Sequence, residues 1–347
     1  MNKLASRLAG KNNGDIAREF LGSHPSVSNC GAARRLVKEY PDRFWTLNSA
    51  LVSVRRQRGT QGVYQRKQVK DPVSRSPYSE EGDKRSPLRL PEPVLISYDR
   101  FVLDGAERVL SLSDIHWPFS SKESLTLAIE EGKRFNPDVV LINGDFFDFH
   151  RLSRFVKEPE ARKVIDDLEG GYKIFEVLRD TFKKARIIYK FGNHDEWFSI
   201  YIKIRAPELA DLPSMELDEQ FWCNGQKISN LGVETVKDQR IIMAGRLAIL
   251  HGHEINMKSV SVNPARTAFL KCQESVLVGH LHKASQHSET NMYGKLISTW
   301  SQGCLCQLHP KFARINQWNN GYAEIEIERN GGFNVMLKRI YKGKVWA

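Results

Sequence analysis

The 347-residue sequence predicts an α/β domain preceded by a small all-α module. From about residue 94 onward, short apolar runs typical of buried strands alternate with helical segments, which is the pattern of an α/β fold. Before that point, residues 14–58 carry apolar side chains at helical spacing. The intervening residues 59–93 are rich in proline, serine, glycine and charge. We therefore divide the chain into a helical module (1–58), a flexible linker (59–93) and an α/β domain (94–347).

The positive charge of the sequence is concentrated at its start. Residues 1–90 hold 18 Lys and Arg against 8 Asp and Glu, a net charge of +10, whereas residues 91–347 hold 34 against 33. A basic module on a nearly neutral domain favours a polyanionic partner, and we expect nucleic acid to bind through residues 1–93. A tail that only improves solubility is the alternative interpretation.

Three short helices are predicted in the module. The first spans about residues 15–21, the second follows Pro25 and ends at Pro41, and the third begins at Thr46 as its N-cap. Its apolar face should hold Leu47, Ala50, Leu51 and Val54. Basic residues should face outward, which in size and charge resembles a helix-turn-helix module. The candidate nucleic-acid contacts are Arg34, Arg35, Lys38, Arg55, Arg56 and Arg58. A small bundle that packs on the main domain is the competing interpretation.

Several classes of protein are disfavoured by the composition. No apolar run reaches the ~18–20 residues of a membrane span, and the first residues lack the apolar region of a signal peptide. The five cysteines are odd in number and form no Cys-x-x-Cys pair, so metal sites or disulfides built on cysteine are not expected. We expect a cytoplasmic protein with no membrane partner. The sequence leaves the oligomeric state open.

The α/β domain should begin with an antiparallel hairpin that turns at Asp104 and Gly105. Helical segments are expected at about 121–135, 159–184, 197–207 and 264–273. Strands are expected in the segments DVVLIN, ARIIYKF, LAIL, SVLV, KLISTWS, YAEIEIE and FNVMLKRIYK, with a mixed insertion up to about residue 240. The runs EIEIE and FNVMLKRI alternate, so each should bury one face and expose the other.

Five of these strands end in residues that can bind a metal ion. The ends read Asp114-Ile115-His116, Gly144-Asp145-Phe146-Phe147-Asp148, Gly192-Asn193-His194-Asp195, His251-Gly252-His253 and Gly279-His280-Leu281-His282. Open α/β sheets bind ligands at the carboxyl ends of their strands, so we expect the five ends to converge. Each end alone could be a capped polar turn with a satisfied histidine. Together they would be costly to bury, unless a pair of divalent cations neutralises them.

These blocks, in this order, resemble the calcineurin-like metallophosphoesterase superfamily. Its pattern is D-x-H, G-D-x-x-D, G-N-H-D/E, a further His, and G-H-x-H, and every block is present between residues 114 and 282. The resemblance implies a metallophosphoesterase-type β-sandwich flanked by helices, in four layers α-β-β-α. It does not cover residues 1–93. That part looks like what precedes the phosphoesterase domain in some bacteriophage and prophage proteins, which would place the protein in the host cytoplasm.

The resemblance also implies a role for each residue. Asp114, His116 and His282 should hold one metal ion, Asn193, His251 and His280 the other, and Asp145 should bridge the two. His194 should contact the substrate and assist the leaving oxygen, and Asp148 and Asp195 should orient imidazoles. The role of His253 is left open: it is a candidate substrate contact or a residue that only lines the cleft. His150, Arg151 and Arg154 are candidates for binding phosphate.

The expected cofactors are two divalent metal ions. Two cations ~3.5–4 Å apart clamp a phosphate and lower the pKa of a bridging water, so the resemblance implies attack by metal-bound hydroxide. The implied ligands are nitrogen and oxygen only, which favours Mn²⁺, Fe or Zn²⁺ over a pure Mg²⁺ site, with Mn²⁺ our first choice.

The leading hypothesis is a dinuclear phosphodiesterase or nuclease that acts on nucleic acid or nucleotide-like phosphate esters. A phosphomonoesterase is the first alternative, and a protein phosphatase is disfavoured because Phe149 and His150 replace the Arg-Gly pair of those enzymes. A DNA-binding protein with a vestigial phosphoesterase fold is the second alternative. Seven aromatic residues near the ligand blocks could stack on bases or form an ordinary apolar wall: Trp117, Phe119, Phe146, Phe147, Phe149, Trp197 and Phe198.

Overall fold

The computed structural model describes residues 11–24, 27–58, 99–155, 163–220, 222–223, 225–257 and 262–346. The chain divides into two compact units, Met1–Leu95 and Ile96–Ala347. The predicted linker at 59–93 lies outside the described residues.

The first unit contains three helices, α1 (Asn13–Ser23), α2 (Asn29–Glu39) and α3 (Leu47–Gln57). Each begins at a residue whose side chain accepts a hydrogen bond from a backbone amide of the first turn: Asn12, Ser28 and Thr46. Their apolar faces meet in one buried core. Leu47, expected in that core, is 45% exposed because it is the first residue of α3, and Phe44 of the preceding turn is fully buried instead.

The second unit is built on two sheets. The first sheet has seven strands in the order β15-β14-β13-β2-β3-β4-β7. Their bounds are β2 Arg108–Leu112, β3 Val139–Asn143, β4 Arg186–Lys190, β7 Val233–Val236, β13 Asn320–Ile327, β14 Phe333–Tyr341 and β15 Lys344–Trp346. Strands β2, β3, β4 and β7 are parallel, and β13 to β15 add antiparallel at one side. Parallel neighbours bring their carboxyl ends to the same edge.

The second sheet has six strands in the order β1-β8-β9-β10-β12-β11. Their bounds are β1 Phe101–Val102, β8 Ile242–Ala244, β9 Leu247–Ile249, β10 Val276–Val278, β11 Ser285–Thr290 and β12 Leu296–Ser301. A separate two-stranded ribbon joins β5 (Trp222–Cys223) and β6 (Gln226–Lys227). The helices of this unit are α4 Lys122–Phe135, α5 Val164–Thr181, α6 Asn193–Arg205, α7 Leu217–Gln220 and α8 Pro264–Cys272.

The two sheets pack face to face, and helices cover their outer faces. Val109 and Leu141 of the first sheet share a core with Ile249 and Leu277 of the second. On the strands of the first sheet, the alternate residues point to the outer face, where they form a second core with α4 and α5. Helix α8 covers the outer face of the second sheet. The predicted α-β-β-α sandwich is therefore confirmed. No helix among the described residues is long and apolar enough to cross a membrane.

Two details differ from the sequence prediction. The turn at Asp104 and Gly105 exists, but it joins strands of different sheets: β1 pairs with β8, while both edges of β2 are occupied by β3 and β13. No edge of β2 is left to form the predicted hairpin. Alternation also fails in β13, whose residues 320–325 are all buried. This strand lies between β2 and β14, and the buried Glu324 is compensated by Lys338, whose Nζ lies 3.3 Å from its Oε2.

Candidate metal centre

The five predicted ligand blocks follow the carboxyl ends of strands in both sheets. Strands β2, β3 and β4 of the first sheet lead into Asp114, Asp145 and Asn193, and β9 and β10 of the second lead into His251 and His280. Because the two sheets face each other, these ends meet in one buried pocket. The pocket therefore lies at one edge of the sandwich, and both sheets contribute residues to it.

Three predicted ligands form the first half of the pocket. Nε2 of His282 lies 3.1 Å from Oδ1 of Asp114 and 3.1 Å from Nε2 of His116. All three residues are buried, and they could together hold one metal ion. The grouping matches the set that the family resemblance implied for one ion.

Asp145 connects this half to the second. Its Oδ2 lies 3.8 Å from Nε2 of His116 and 3.1 Å from Nε2 of His251. His280 completes the second group, with its ring centroid 5.2 Å from that of His251. The Asp145 carboxylate therefore lies between the two groups, within reach of an imidazole from each. Asn193 begins helix α6 at the same strand end, and its Oδ1 is buried.

Several polar atoms of the predicted ligands have no partner outside the pocket among the described residues. Asn193 Oδ1 and His280 Nδ1 are buried and form no hydrogen bond, and Asp114 Oδ1 and His251 Nε2 are buried and face only other predicted ligands, His282 and Asp145. Buried polar atoms normally form a hydrogen bond. Several buried acceptor atoms without one, gathered in a single pocket, therefore favour a bound cation. The residues present therefore fit a divalent metal centre.

The backbone of the ligands is strained in the way typical of functional sites. Five of the predicted ligands have positive φ angles between 49° and 67°, in the left-handed region that non-glycine residues rarely adopt: Asp114, His116, Asp145, His280 and His282. Such conformations each cost of order 1–3 kcal/mol and persist only where the surrounding structure imposes them. Gly192 packs so closely on Asp145 that an added Cβ would lie 2.3 Å from its Oδ1.

The electrostatics of the metal-free pocket pair carboxylates with imidazolium. Burial alone would lower the pKa of His251, but the Asp145 carboxylate outweighs it and raises that pKa to about 10. Burial opposes ionisation of Asp145 as well, yet His251 holds its pKa well below 3.8. Burial and the nearby His251 lower the pKa of His280 to about 4. In the metal-free pocket, the proton on His251 therefore neutralises part of the negative charge of the carboxylates. Bound cations would take over this role.

Asp148 and His194 lie beside the first group. Oδ1 of Asp148 is 3.2 Å from Nδ1 of His116, a contact through which this carboxylate can orient the ring of a predicted ligand. Nδ1 of His194 is 2.7 Å from the backbone carbonyl of Asp148. The backbone amide of His194 donates a hydrogen bond to Asp145 Oδ1 at 2.9 Å. Burial lowers the pKa of His194 to about 4, so its ring is neutral at pH 7. Its ring packs edge-on against His116 at 4.5 Å.

Asp195 does not orient an imidazole, contrary to expectation. It accepts hydrogen bonds from the amides of Gly192 (2.8 Å) and Phe147 (3.0 Å), and from the hydroxyl of Tyr189 (2.6 Å). These bonds tie the ends of β3 and β4 together. The physical reason is position: Asp195 lies in the first turn of α6, where its carboxylate faces unpaired amides rather than the pocket.

Four supporting residues were not identified from the sequence. Ser113 donates to Asp114 Oδ2, and the Asn143 carbonyl lies 2.8 Å from Nδ1 of His251. Glu254 accepts hydrogen bonds from the amides of the His251 turn and pairs with the fully buried Lys190 at 2.9 Å. Two features of the sequence could have indicated this pair. Glu254 directly follows the predicted block His251-Gly252-His253, and Lys190 is a charged residue inside an apolar strand.

The candidate substrate contacts are placed unevenly. His253 lines the second group, with its ring centroid 5.4 Å from that of His251, and its Nε2 lies 3.5 Å from Glu196. His150 and Arg151 belong to a short 3-10 helix (His150–Leu152) that follows Asp148, and Arg154 is exposed. Of the seven aromatic residues, Phe146, Phe147 and Phe149 are buried in the core and are not available to stack on bases; the others are at least partly exposed: Trp117, Phe119, Trp197 and Phe198.

Two cysteines also approach the pocket. One ligand atom from each of His282, Cys304 and Cys306 lies within 4.8 Å of the others, although no cysteine cluster was expected. A hydrogen bond with Cys304 and burial raise the pKa of Cys306 well above 9. The Cys306 thiol is therefore neutral in the metal-free pocket.

In the first unit, five of the six predicted nucleic-acid contacts are exposed: Arg34, Arg35, Lys38, Arg55 and Arg56. Arg58 is only 2% exposed. Its guanidinium donates to Asn29 Oδ1 at 2.8 Å and to the Val27 carbonyl at 2.6 Å, because α3 ends beside the start of α2. The prediction that Arg58 faces outward is therefore wrong, and this residue is a structural link between two helices.

Comparison with known proteins adds a family assignment to this geometry. A family model described as calcineurin-like phosphoesterase matches residues 107–295. The gene 54 protein of Mycobacterium phage L5 is 27% identical over 64% of this chain and 90% of its own length. The gene 54 protein of Mycobacterium phage D29 is 25% identical, over 65% and 91%.

Two solved structures of low identity also match the chain. A Vps29 single mutant from Entamoeba histolytica matches with a TM-score of 0.36 and 13% identity, over 69% of this chain and 96% of that chain. A dimetal phosphatase from Danio rerio matches with a TM-score of 0.32 and 11% identity, over 64% and 93%.

Proposed function

Because the chain belongs to the calcineurin-like phosphoesterase family, we propose that it is a metal-dependent phosphodiesterase that acts on nucleic acid or nucleotide-like substrates in the host cytoplasm. The observation that carries the proposal is the pocket itself. Three strand ends of one sheet and two of the other bring together carboxylates and imidazoles, and several of their buried polar atoms form no hydrogen bond with the described residues.

Each residue of the pocket has a proposed part. Asp114, His116 and His282 would hold one divalent ion, Asn193, His251 and His280 would hold the other, and Asp145 lies where its carboxylate could contribute to both. When bound, the two ions supply an activated water and stabilise charge on the phosphate, with Mn²⁺ as the favoured metal. His194 contacts the phosphate from the partly exposed side of the pocket, where its side chain is 21% exposed. Asp148 holds the His116 ring in the orientation in which its other nitrogen faces the metal site.

A nucleic-acid substrate is supported by charge rather than by the pocket. The first unit exposes basic residues on α2 and at the end of α3, and it belongs to the stretch of the chain with a net charge of +10. Phosphate backbones bind such surfaces without reading sequence. In this proposal the first unit keeps the chain on a polynucleotide while the second unit cleaves it.

The test is hydrolysis of bis-p-nitrophenyl phosphate and p-nitrophenyl phosphate by the full chain with Mn²⁺. The proposal expects the diester to be the better substrate. His194→Ala should lose at least about a hundredfold in kcat while two metal ions remain bound. His287→Ala, which changes a histidine paired with Glu289 outside the pocket, is the matched control and should keep full activity. Wild-type protein that binds two metals and hydrolyses neither ester would refute the proposal.

A further inference from the structure

A segment far from the ligand blocks in sequence closes one side of the metal pocket. Residues 308–319 (the 308–319 segment) end at Asn319, whose amide donates to the carbonyl of His282 at 2.9 Å. Its side-chain Oδ1 accepts from the amide of Ala284 at 2.8 Å. The neighbouring Trp318 packs edge-on against the His282 ring, with centroids 4.2 Å apart. The segment therefore reaches the first ligand group directly.

The same segment exposes apolar side chains at this place. Phe312 is 77% exposed and lies 6.2 Å from Trp318, and Ile315 is fully exposed. The segment is nevertheless ordered by its own hydrogen bonds. The side chain of Asn316 donates to two carbonyls of the segment and accepts from the Trp318 amide at 2.8 Å. Phe312 is thus an exposed aromatic ring held beside a half-buried tryptophan, which favours a binding surface.

The charge around this aromatic pair is positive. Lys311 and Arg314 are exposed, and Lys283 adjoins the segment through a 2.8 Å hydrogen bond to Gln317. Neither Lys311 nor Arg314 forms an ion pair with the described residues. The sequence contains no Asp or Glu between residues 302 and 323. The aromatic pair and the cations together match a ligand that carries both a flat ring and a negative charge.

A second aromatic group lies on the other side of the pocket. The Trp197 ring packs on His194 with centroids 3.8 Å apart, and the exposed Phe155 lies 6.2 Å from Trp197. The rings of His194, His116 and His282 follow one another between the two tryptophans, with centroids 4.5 and 5.0 Å apart. The metal pocket is therefore bordered by aromatic side chains at both ends.

We propose that Phe312, with Trp318 and Arg314, forms a nucleobase-binding subsite that holds one nucleotide of a single-stranded polynucleotide beside the first ligand group. The base stacks on the Phe312 ring, and Arg314 binds the adjoining phosphate. This inference rests on the proposed phosphodiesterase function and names its substrate as unpaired nucleic acid. Double-stranded nucleic acid does not fit, because its bases are already stacked on one another.

The experiment compares two oligonucleotides with the full-length protein and Mn²⁺. One is an oligothymidylate, and the other has the same backbone with its bases removed, so that the two differ in stacking and not in charge. Phe312→Ala should raise KM for the base-bearing strand roughly tenfold and change the abasic strand less than twofold. Arg314→Gln should raise KM for both strands. The control is Tyr293→Ala, an 85% exposed aromatic residue in the turn between β11 and β12, which should change neither value.

The outcomes separate the subsite from the catalytic proposal. If Phe312→Ala affects both strands equally, or neither strand, the subsite is rejected while hydrolysis by the wild-type protein still stands. Fluorescence anisotropy of the same two strands covers the case in which the wild-type protein cleaves neither. Tighter binding of the base-bearing strand that Phe312→Ala abolishes would then keep the subsite and reject the hydrolysis. Binding that does not depend on Phe312 would overturn the subsite.

Discussion

The Nε2 atoms of His116 and His282 lie 3.1 Å apart, although the residues come from strand ends of different sheets. Two neutral imidazoles cannot both point lone pairs at each other at this distance without a proton or a cation between them. Oδ1 of Asp114 lies 3.1 Å from the same His282 atom. A shared divalent cation satisfies all three groups, and the metal-free pocket must otherwise hold protons.

The first prediction is that metal ions stabilise the second unit. A ligand that binds only the folded state at 100 times its Kd adds about 2.7 kcal/mol, and for a domain of this size each kcal/mol raises Tm by roughly 2–4 °C. EDTA should therefore lower Tm by several degrees, and Mn²⁺ should restore it. His282→Ala should lose most of the Mn²⁺-dependent increase in a thermal melt, whereas His287→Ala should keep it. Equal increases in both variants would contradict a metal site at His282.

The second prediction is that metal binding releases protons. The pKa of His251 is about 10 in the metal-free pocket, so its imidazole carries a proton at pH 7 that a metal ion must displace. Metal affinity should rise roughly tenfold per pH unit for each proton released, up to about pH 10. Calorimetric titration with Mn²⁺ in two buffers of different ionisation enthalpy measures the number of protons, and identical heats in both buffers would contradict it.

The same shift sets the pH dependence of the metal-free protein. Since the folded-state pKa of His251 lies above its ordinary value of 6.5, its pairing with Asp145 stabilises the fold fully below about pH 6.5. This stabilisation is lost as the pH rises through 10. Urea unfolding of EDTA-treated protein between pH 6 and 10 should show the decline, and Mn²⁺ should abolish it because the metal keeps the imidazole unprotonated.

The third prediction concerns the buried Lys190–Glu254 ion pair. Burial would raise the pKa of Glu254, but Lys190 outweighs it and lowers that pKa to about 2, so the carboxylate depends on its partner. Lys190→Met leaves a buried charge and should cost about 3–5 kcal/mol of unfolding free energy. It should also weaken metal binding, because Glu254 anchors the backbone amides of His251 and Gly252.

Strand β4 offers a matched control for this variant. Arg186 pairs with Glu234 at 2.9 Å at the opposite end of the same strand, but both side chains are more than a third exposed. Arg186→Gln should therefore cost at most about 1 kcal/mol and leave metal affinity unchanged. A similar loss of stability in the two variants would mean that the burial of Lys190 has no special energetic role.

The strand ends were predictable because buried parallel strands are continuous apolar runs, and their ligands follow directly in the sequence. The division of those ends between two sheets was not predictable, because an apolar run does not indicate which sheet it joins. Arg58 was misjudged for a related reason: helical spacing identifies a face, but the end of α3 turns toward Asn29 and Val27 only in the folded bundle.

Trp318 shows a second limit of the sequence. It contacts the His282 ring from 36 residues away in the chain, and no ligand block marks its neighbourhood. The available signal was compositional, since the surrounding stretch combines aromatic and basic residues with no carboxylate. Composition can suggest such a surface, but only the long-range hydrogen bond between Asn319 and His282 places it at the metal pocket.

The last prediction tests nucleic-acid binding by the first unit. Arg55 and Arg56 are exposed in the last turn of α3, and each should neutralise one phosphate. Each lost phosphate contact reduces the slope of log K against log salt by about 0.7–0.9, so Arg55→Gln combined with Arg56→Gln should reduce it by about 1.5. The measurement is oligonucleotide anisotropy across a salt series.

Lys133 and Arg134 occupy the same place in α4, so their double glutamine variant is the matched control and should leave the slope unchanged. Equal slopes in the two double variants would show that the basic end of α3 does not bind the backbone, and would leave only the second unit to recognise the substrate.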